Sequence, residues 1–176
     1  ASNNTAVGRN AMEANTTGTY NVAVGVSSLA INTTGNYNVA MGGLALDANT
    51  SADSNTAVGY ASLTTNTTGS GNTAYGRDSL AGNTTGSSNT AVGHDALDAN
   101  TTASNNTAVG TSALGANTTG DRNTTMGTQS GDGITTGVSN VIIGFDTGSY
   151  QNVLTTGSQN VLVGAYNKTN AADSTY

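Results

Sequence analysis

Apolar and polar residues come in short bursts along this chain, and the bursts recur at a fixed interval. The motif Asn4-Thr5-Ala6-Val7-Gly8 returns with its Asn at 21, 38, 55, 72, 89, 106, 123, 140 and 160; the first nine are 17 residues apart and the last step is 20. Counted from that Asn, a unit reads Asn, Thr or Val, Ala, Val, Gly, two variable residues, Ala or Ser, Leu, two variable residues, Asn, Thr, Thr, Gly and two variable residues. A strict period of this kind marks stacked repeats, in which each unit buries its apolar side only against its neighbours. Gly, Asn and Thr punctuate every segment, so no 3.6-residue apolar period survives and a helix is excluded. Two short strands and two turns fit one unit. One strand covers positions 2 to 4, and the second centres on Asn15-Thr16-Thr17-Gly18 and its copies at Asn32, Asn66, Asn83 and Asn117. The expected fold is all-β, a parallel β-solenoid of about ten coils that advances about 4.8 Å per coil into a rod roughly 45 to 50 Å long.

Side chains alternate across a strand, so position 3 faces away from positions 2 and 4. Position 4 is an apolar rank: Val7, Val24, Met41, Val58, Tyr75, Val92, Val109, Met126, Ile143 and Val163. Position 9 supplies another, Met12, Leu29, Leu46, Leu63, Leu80, Leu97 and Leu114, and the two are expected to form the core. Position 3 then points outward as Ala6, Ala23, Ala40, Ala57, Ala74, Ala91 and Ala108. Small residues in register let another surface approach closely, so this rank is expected to be a self-association face, extended by Ile142 and Leu162. The competing reading makes Ala a second inward position of a flattened roll. The position-1 rank, Asn4, Asn21, Asn38, Asn55, Asn72, Asn89, Asn106, Asn123, Asn140 and Asn160, is expected to form a side-chain ladder. The Gly at position 5 is expected to take a positive φ or a tight corner.

The last third varies the pattern. Position 9 becomes Gly131 and Gly148, the Asn before Thr-Thr-Gly becomes Ile134 and Leu154, and position 3 becomes Thr125, Ile142 and Leu162. An apolar group lost in one place and gained in another is what a core of fixed volume demands. The chain therefore reads as one domain, 1–176, with regular repeats over 1–127, variant repeats over 128–166 and an incomplete terminal coil at 167–176. Ala1-Ser2-Asn3 leads straight into the first repeat. Were Tyr176 followed by Ala1 of another copy, the step from Asn160 to the next Asn4 would again be 20 residues. Head-to-tail stacking of that kind gives an open filament; a segment cut from a longer fibre would look the same.

Composition removes other classes. Only 8% of residues are charged and aromatics are 5%, so order must come from repetition and not from a thick core. There is no Cys, which rules out disulfides and thiolate metal sites, and no apolar run approaches the ~20 residues that span a bilayer. A net charge of −6 with four basic residues lacks the footprint of nucleic-acid binding. His94 has no recurring partner, and the acidic residues, among them Glu13, Asp47, Asp98, Asp121 and Asp146, are scattered over variable positions without the spacing of calcium-binding β-rolls. No catalytic residue, metal or cofactor is expected. Asn15, Asn32, Asn49, Asn66, Asn83, Asn100 and Asn117 head formal N-glycosylation sequons that the repeat itself generates. Ranked threonines raise an ice-binding alternative, although Thr16 and Thr17 are adjacent and point to opposite faces.

Asn-Thr-Ala-Val-Gly, Ala/Ser-Leu and Asn-Thr-Thr-Gly together resemble the head repeats of trimeric autotransporter adhesins and, still more, related repeats of phage tail fibres, from Asn4 to about Asn167. The resemblance implies a homotrimer of left-handed parallel β-rolls that projects from a cell or virion and adheres to a host-cell surface or glycan. The 17-residue unit is longer than that of the adhesin heads, and no heptad stalk or membrane anchor is present. The expected function is a non-enzymatic structural or adhesive component of an extracellular fibre, whose first partner is itself.

Overall fold

The computed structural model of the chain describes residues 1–149 and 154–165; the expected incomplete terminal coil at 167–176 lies outside them. Ten strands of three residues follow in order: β1 (Thr5–Val7), β2 (Val22–Val24), β3 (Val39–Met41), β4 (Thr56–Val58), β5 (Thr73–Tyr75), β6 (Thr90–Val92), β7 (Thr107–Val109), β8 (Thr124–Met126), β9 (Val141–Ile143) and β10 (Val161–Val163). They form one parallel sheet in sequence order, with Ala6 opposite Ala23 and each later pair in the same register. The chain is a β-solenoid with one strand per coil. The three extra residues of the ninth unit leave this register intact, since Val161 still pairs with Val141.

Each strand is short because both ends are cornered. The residue before the Asn is left-handed, as in Tyr20 (φ 58°) and Tyr37 (φ 58°), and the Gly after the strand takes a φ near +130°, as in Gly8 (φ 131°). That φ is open in practice only to glycine. The carbonyl oxygen of the next coil's Gly also occupies the place where a Cβ on Gly8 would stand.

The expected second strand is not formed among the described residues. Positions 7 and 9 are left-handed, as in Ser27 (φ 55°) and Leu29 (φ 51°), and they fold that side into turns. Neighbouring coils are still bonded there, but Thr16 and Thr17 both donate to the Thr33 carbonyl, at 3.1 and 3.0 Å. Two donors on one carbonyl cannot propagate a pleated ladder, which needs one acceptor per donor along each edge.

The phase of the strand is opposite to the one expected. Ala23, Ala40, Ala57, Ala74, Ala91 and Ala108 are fully buried, facing Leu29, Leu46, Leu63, Leu80, Leu97 and Leu114 within one continuous core. Position 4 lies outside: Val7, Met41, Tyr75, Met126, Ile143 and Val163 are exposed, and Val24, Val58, Val92 and Val109 are half-buried. The physical reason is width. One Leu side chain fills the cross-section of a coil, so the strand opposite has room for a methyl and no room for Val, Met or Tyr.

The variant coils show the same limit in reverse. Where Leu is replaced by Gly131 and Gly148, the facing residue grows to Thr125 and Ile142. A Cβ added to Gly131 would lie 2.8 Å from Thr125 Cγ2, and one on Gly148 would lie 3.1 Å from Ile142 Cδ1, so the larger side chains occupy the space that Leu vacates. Ile134 and Leu154 are buried on the third side of the same interior.

Leu80→Ala is expected to cost roughly 2 to 5 kcal/mol through the cavity it leaves, and Val92→Ala on the outer side less than about 1 kcal/mol; paired denaturant titrations check this, and a larger loss for Val92 would restore position 4 to the core. Thr125 is buried with its hydroxyl unpartnered among the described residues. Replacing it by the isosteric Val removes an unmet polar group, so Thr125→Val is expected to gain about 1 kcal/mol, visible as a raised melting temperature.

Candidate assembly surfaces

Asparagine builds the polar frame on which every exposed face is carried. Along the position-1 rank each backbone N–H donates to Oδ1 of the Asn one coil earlier, from Asn21 on Asn4 (2.8 Å) to Asn160 on Asn140 (3.0 Å). Most of these side chains also donate from Nδ2 across the coil to the position-15 carbonyl, as Asn38 does to Ala52 at 2.8 Å. The ladder is therefore side chain to backbone over most of the rod, and becomes amide to amide only at the end, where Asn140 and Asn160 donate from Nδ2 to the preceding Oδ1.

A second ladder runs along position 12 and is amide to amide. Asn49 Nδ2 donates to Asn32 Oδ1 at 2.8 Å and Asn100 to Asn83 at 2.7 Å. These are the sequon residues. Asn32, Asn49, Asn66, Asn83, Asn100 and Asn117 are fully buried with Nδ2 engaged, so the folded coil offers no acceptor nitrogen there.

With Ala23, Ala40, Ala57, Ala74, Ala91 and Ala108 inside, the expected self-association face at position 3 is corrected. Ile142 and Leu162 are inside too, while Ala6, on the edge strand β1, is exposed. The outer face of the sheet is instead built from positions 2 and 4. Position 2 offers Thr or Val, position 4 offers Val, Met, Tyr or Ile, and neither carries a charge in any of the ten coils. Exposure there is substantial, 59% at Tyr75 and 63% at Val163. Beyond the corner, Tyr20 and Tyr37 stack with ring centroids 5.2 Å apart, and on the other side Val26, Tyr60 and Phe145 are exposed. Sequence reasoning missed this face because it placed position 4 inside; the apolar rank was visible, and only its side was misread.

The opposite side offers hydroxyls. The position-13 threonines spend theirs on the next coil, as Thr84 Oγ1 does on the Thr101 carbonyl at 3.0 Å, which leaves one exposed rank at position 14. Carboxylates that look scattered in sequence are gathered by stacking, because Glu13, Asp47, Asp78, Asp95, Asp98, Asp132 and Asp146 all occupy positions 7 or 10. Burial, then the charges of Asp95 and Asp78, hold the Asp98 carboxyl above its usual range. Burial, then the charge of Asp146, pushes Asp132 up to about 6, and its Oδ1 has no partner among the described residues.

No family model, curated protein or solved structure matches the chain.

A carboxyl whose folded pKa is raised favours the fold most when protonated. The contribution of Asp132 is therefore full below about pH 3.8 and lost as pH rises through about 6. Asp132→Asn is expected to melt increasingly above the parent as pH goes from 4 to 7; an unchanged difference across that window would show that this carboxyl is not desolvated.

Proposed function

We propose that the chain is a non-enzymatic structural subunit of an extracellular fibre, with copies added end to end at the coil edges and rods paired laterally through the outer face of the sheet. The observation that carries this reading is the coil-to-coil repeat of hydrogen bonds, which any further coil of this pattern, in the same chain or in another copy, can extend. In later coils the position-1 N–H donates to the preceding Asn Oδ1 and the position-5 N–H to the preceding position-4 carbonyl, as Gly25 does to Val7 at 2.8 Å. Asn4 and Gly8 find no such acceptor among the described residues, and one more coil of this repeat, of the same chain or of another copy, would supply it. Residues 1–3 already lie as the closing positions of a preceding coil. Tyr20 N–H donates to Ser2 as Tyr37 N–H does to Thr19, and Asn3 is left-handed (φ 59°) like Tyr20.

The lateral part rests on a separate observation. A contiguous apolar sheet face is an interaction surface, and a second copy of this chain matches its ranks coil for coil without any charge to desolvate. The likeness of the repeat to trimeric adhesin heads and phage tail fibres points the same way, to rods around a common axis with a host surface or glycan as the outer partner. Ice binding is less well supported: Met41, Tyr75 and Met126 stand above the valines of their rank, and the hydroxyl side has one free rank.

Electron microscopy of the purified chain is expected to show long fibres, and Ala6→Lys, which sets a charge on the exposed end of the core, to stop them at short rods. Discrete rods from the parent chain would refute end-to-end growth. Tyr75→Lys with Val109→Lys is expected to reduce the mass per unit length to that of single rods; an unchanged value would refute the lateral contact.

A further inference from the structure

We propose that Asp78, His94 and Asp95 form a binding site for a divalent transition-metal ion of the zinc class, clipping the fifth coil to the sixth on one flank of the rod. Asp78 and Asp95 hold the same position in adjacent coils, both left-handed (φ 54° and 55°), so stacking sets one carboxylate over the other. His94 immediately precedes Asp95 in the sixth coil. One ligand atom from each of the three lies within 4.8 Å of the other two, and His94 Nδ1 is 3.0 Å from Asp95 Oδ2. Donors at ~2.0 to 2.2 Å from a zinc ion are roughly 3 to 4 Å apart, so small side-chain rotations close this set around an ion.

One imidazole with two carboxylates suits zinc and its neighbours better than calcium or magnesium, which take oxygen ligands alone. No other pair of adjacent coils supplies the set. Positions 6 and 7 are Tyr60 and Ala61 in the coil before Asp78, and Thr111 and Ser112 in the coil after Asp95.

The surrounding charge favours a cation. Asp98 joins Asp78 and Asp95 in the same field, and their charges add to burial in holding its carboxyl above the usual range. The counter-charge nearest the set is Arg77, whose Nε bonds Asp78 Oδ2 at 2.9 Å from a side chain that is 66% exposed. That bond engages one oxygen of the carboxylate. The set is partly open to solvent, so water or a donor from a neighbouring rod would complete the coordination. This inference does not depend on fibre formation.

Titration of the full chain with zinc chloride in a calorimeter at pH 7.5 is expected to give one site per chain with micromolar affinity, and the melting temperature is expected to rise with zinc and not with the same concentration of magnesium. His94→Ala is expected to weaken binding at least tenfold and remove that rise while keeping the parent's circular dichroism. Asp95→Asn is expected to do the same, and Asp132→Asn, remote from the set, to bind as the parent does. Equal zinc stabilisation of the parent and His94→Ala would overturn the proposal in favour of diffuse binding to the carboxylates of the rod. Binding no tighter than millimolar would overturn it outright.

Discussion

The hydrogen bond from one coil to the equivalent place in the next is the interaction on which the rest of this molecule depends. A coil of 17 residues buries Asn side chains and backbone amides that it cannot satisfy by itself. Leaving such groups unmet costs on the order of 1 to 3 kcal/mol each. The next coil meets them only if it sets the same residue at the same height, and so the sequence period and the hydrogen-bond geometry fix one another. The ninth unit shows which of the two governs. It is three residues longer, the extra length falls between Gly148 and Leu154, and the bond from Asn160 N–H to Asn140 Oδ1 is kept.

Inside that frame the interior is too narrow for independent choices. Each coil contributes one large apolar side chain and the residue facing it takes the remaining space, which is why Ala faces Leu through six successive coils and Thr125 and Ile142 appear where Leu gives way to glycine. The left-handed leucines belong to the same account. A bulky residue at positive φ is uncommon and costs free energy, yet Leu29, Leu46, Leu63, Leu80, Leu97 and Leu114 all sit there, between φ 51° and 54°. Only at that φ does position 9 turn its side chain into the coil while the backbone closes the corner. Burial of the Leu offsets the strain.

Much of this was legible in the residues. The period, the parallel stacking, the all-β class, the corner glycine and an asparagine ladder follow from a 17-residue pattern read against backbone rules. What was not legible is the phase of a three-residue strand. An element that short has one residue on one face and two on the other, and Thr-Ala-Val reads equally as Ala in or Val in. The usual guide, that larger apolar side chains go inside, fails because the interior is one Leu wide, a dimension set by the whole coil and invisible in any one segment. The second strand was misplaced for a related reason: left-handed Ser27 or Leu29 carries no marker in sequence as glycine does. The convergence of Asp78, His94 and Asp95 was hidden because residues 17 apart become neighbours only once the coils are stacked.

The two outward ranks of the sheet then differ in a way the chain itself does not require. Positions 2 and 4 stand on the same face, flank the same buried Ala and have comparable freedom in a β-strand, where Thr and Val are nearly interchangeable. Position 2 is Thr in six coils and Val in four, whereas position 4 is never Thr and carries Val, Met, Ile or Tyr throughout. Packing within the rod cannot separate them, since both point away from the core. A solvated rod would be better served by Thr in both ranks. An apolar surface lying over position 4 and leaving position 2 nearer its polar rim would impose this asymmetry, and a rod of the same pitch is the surface that would impose it in every coil.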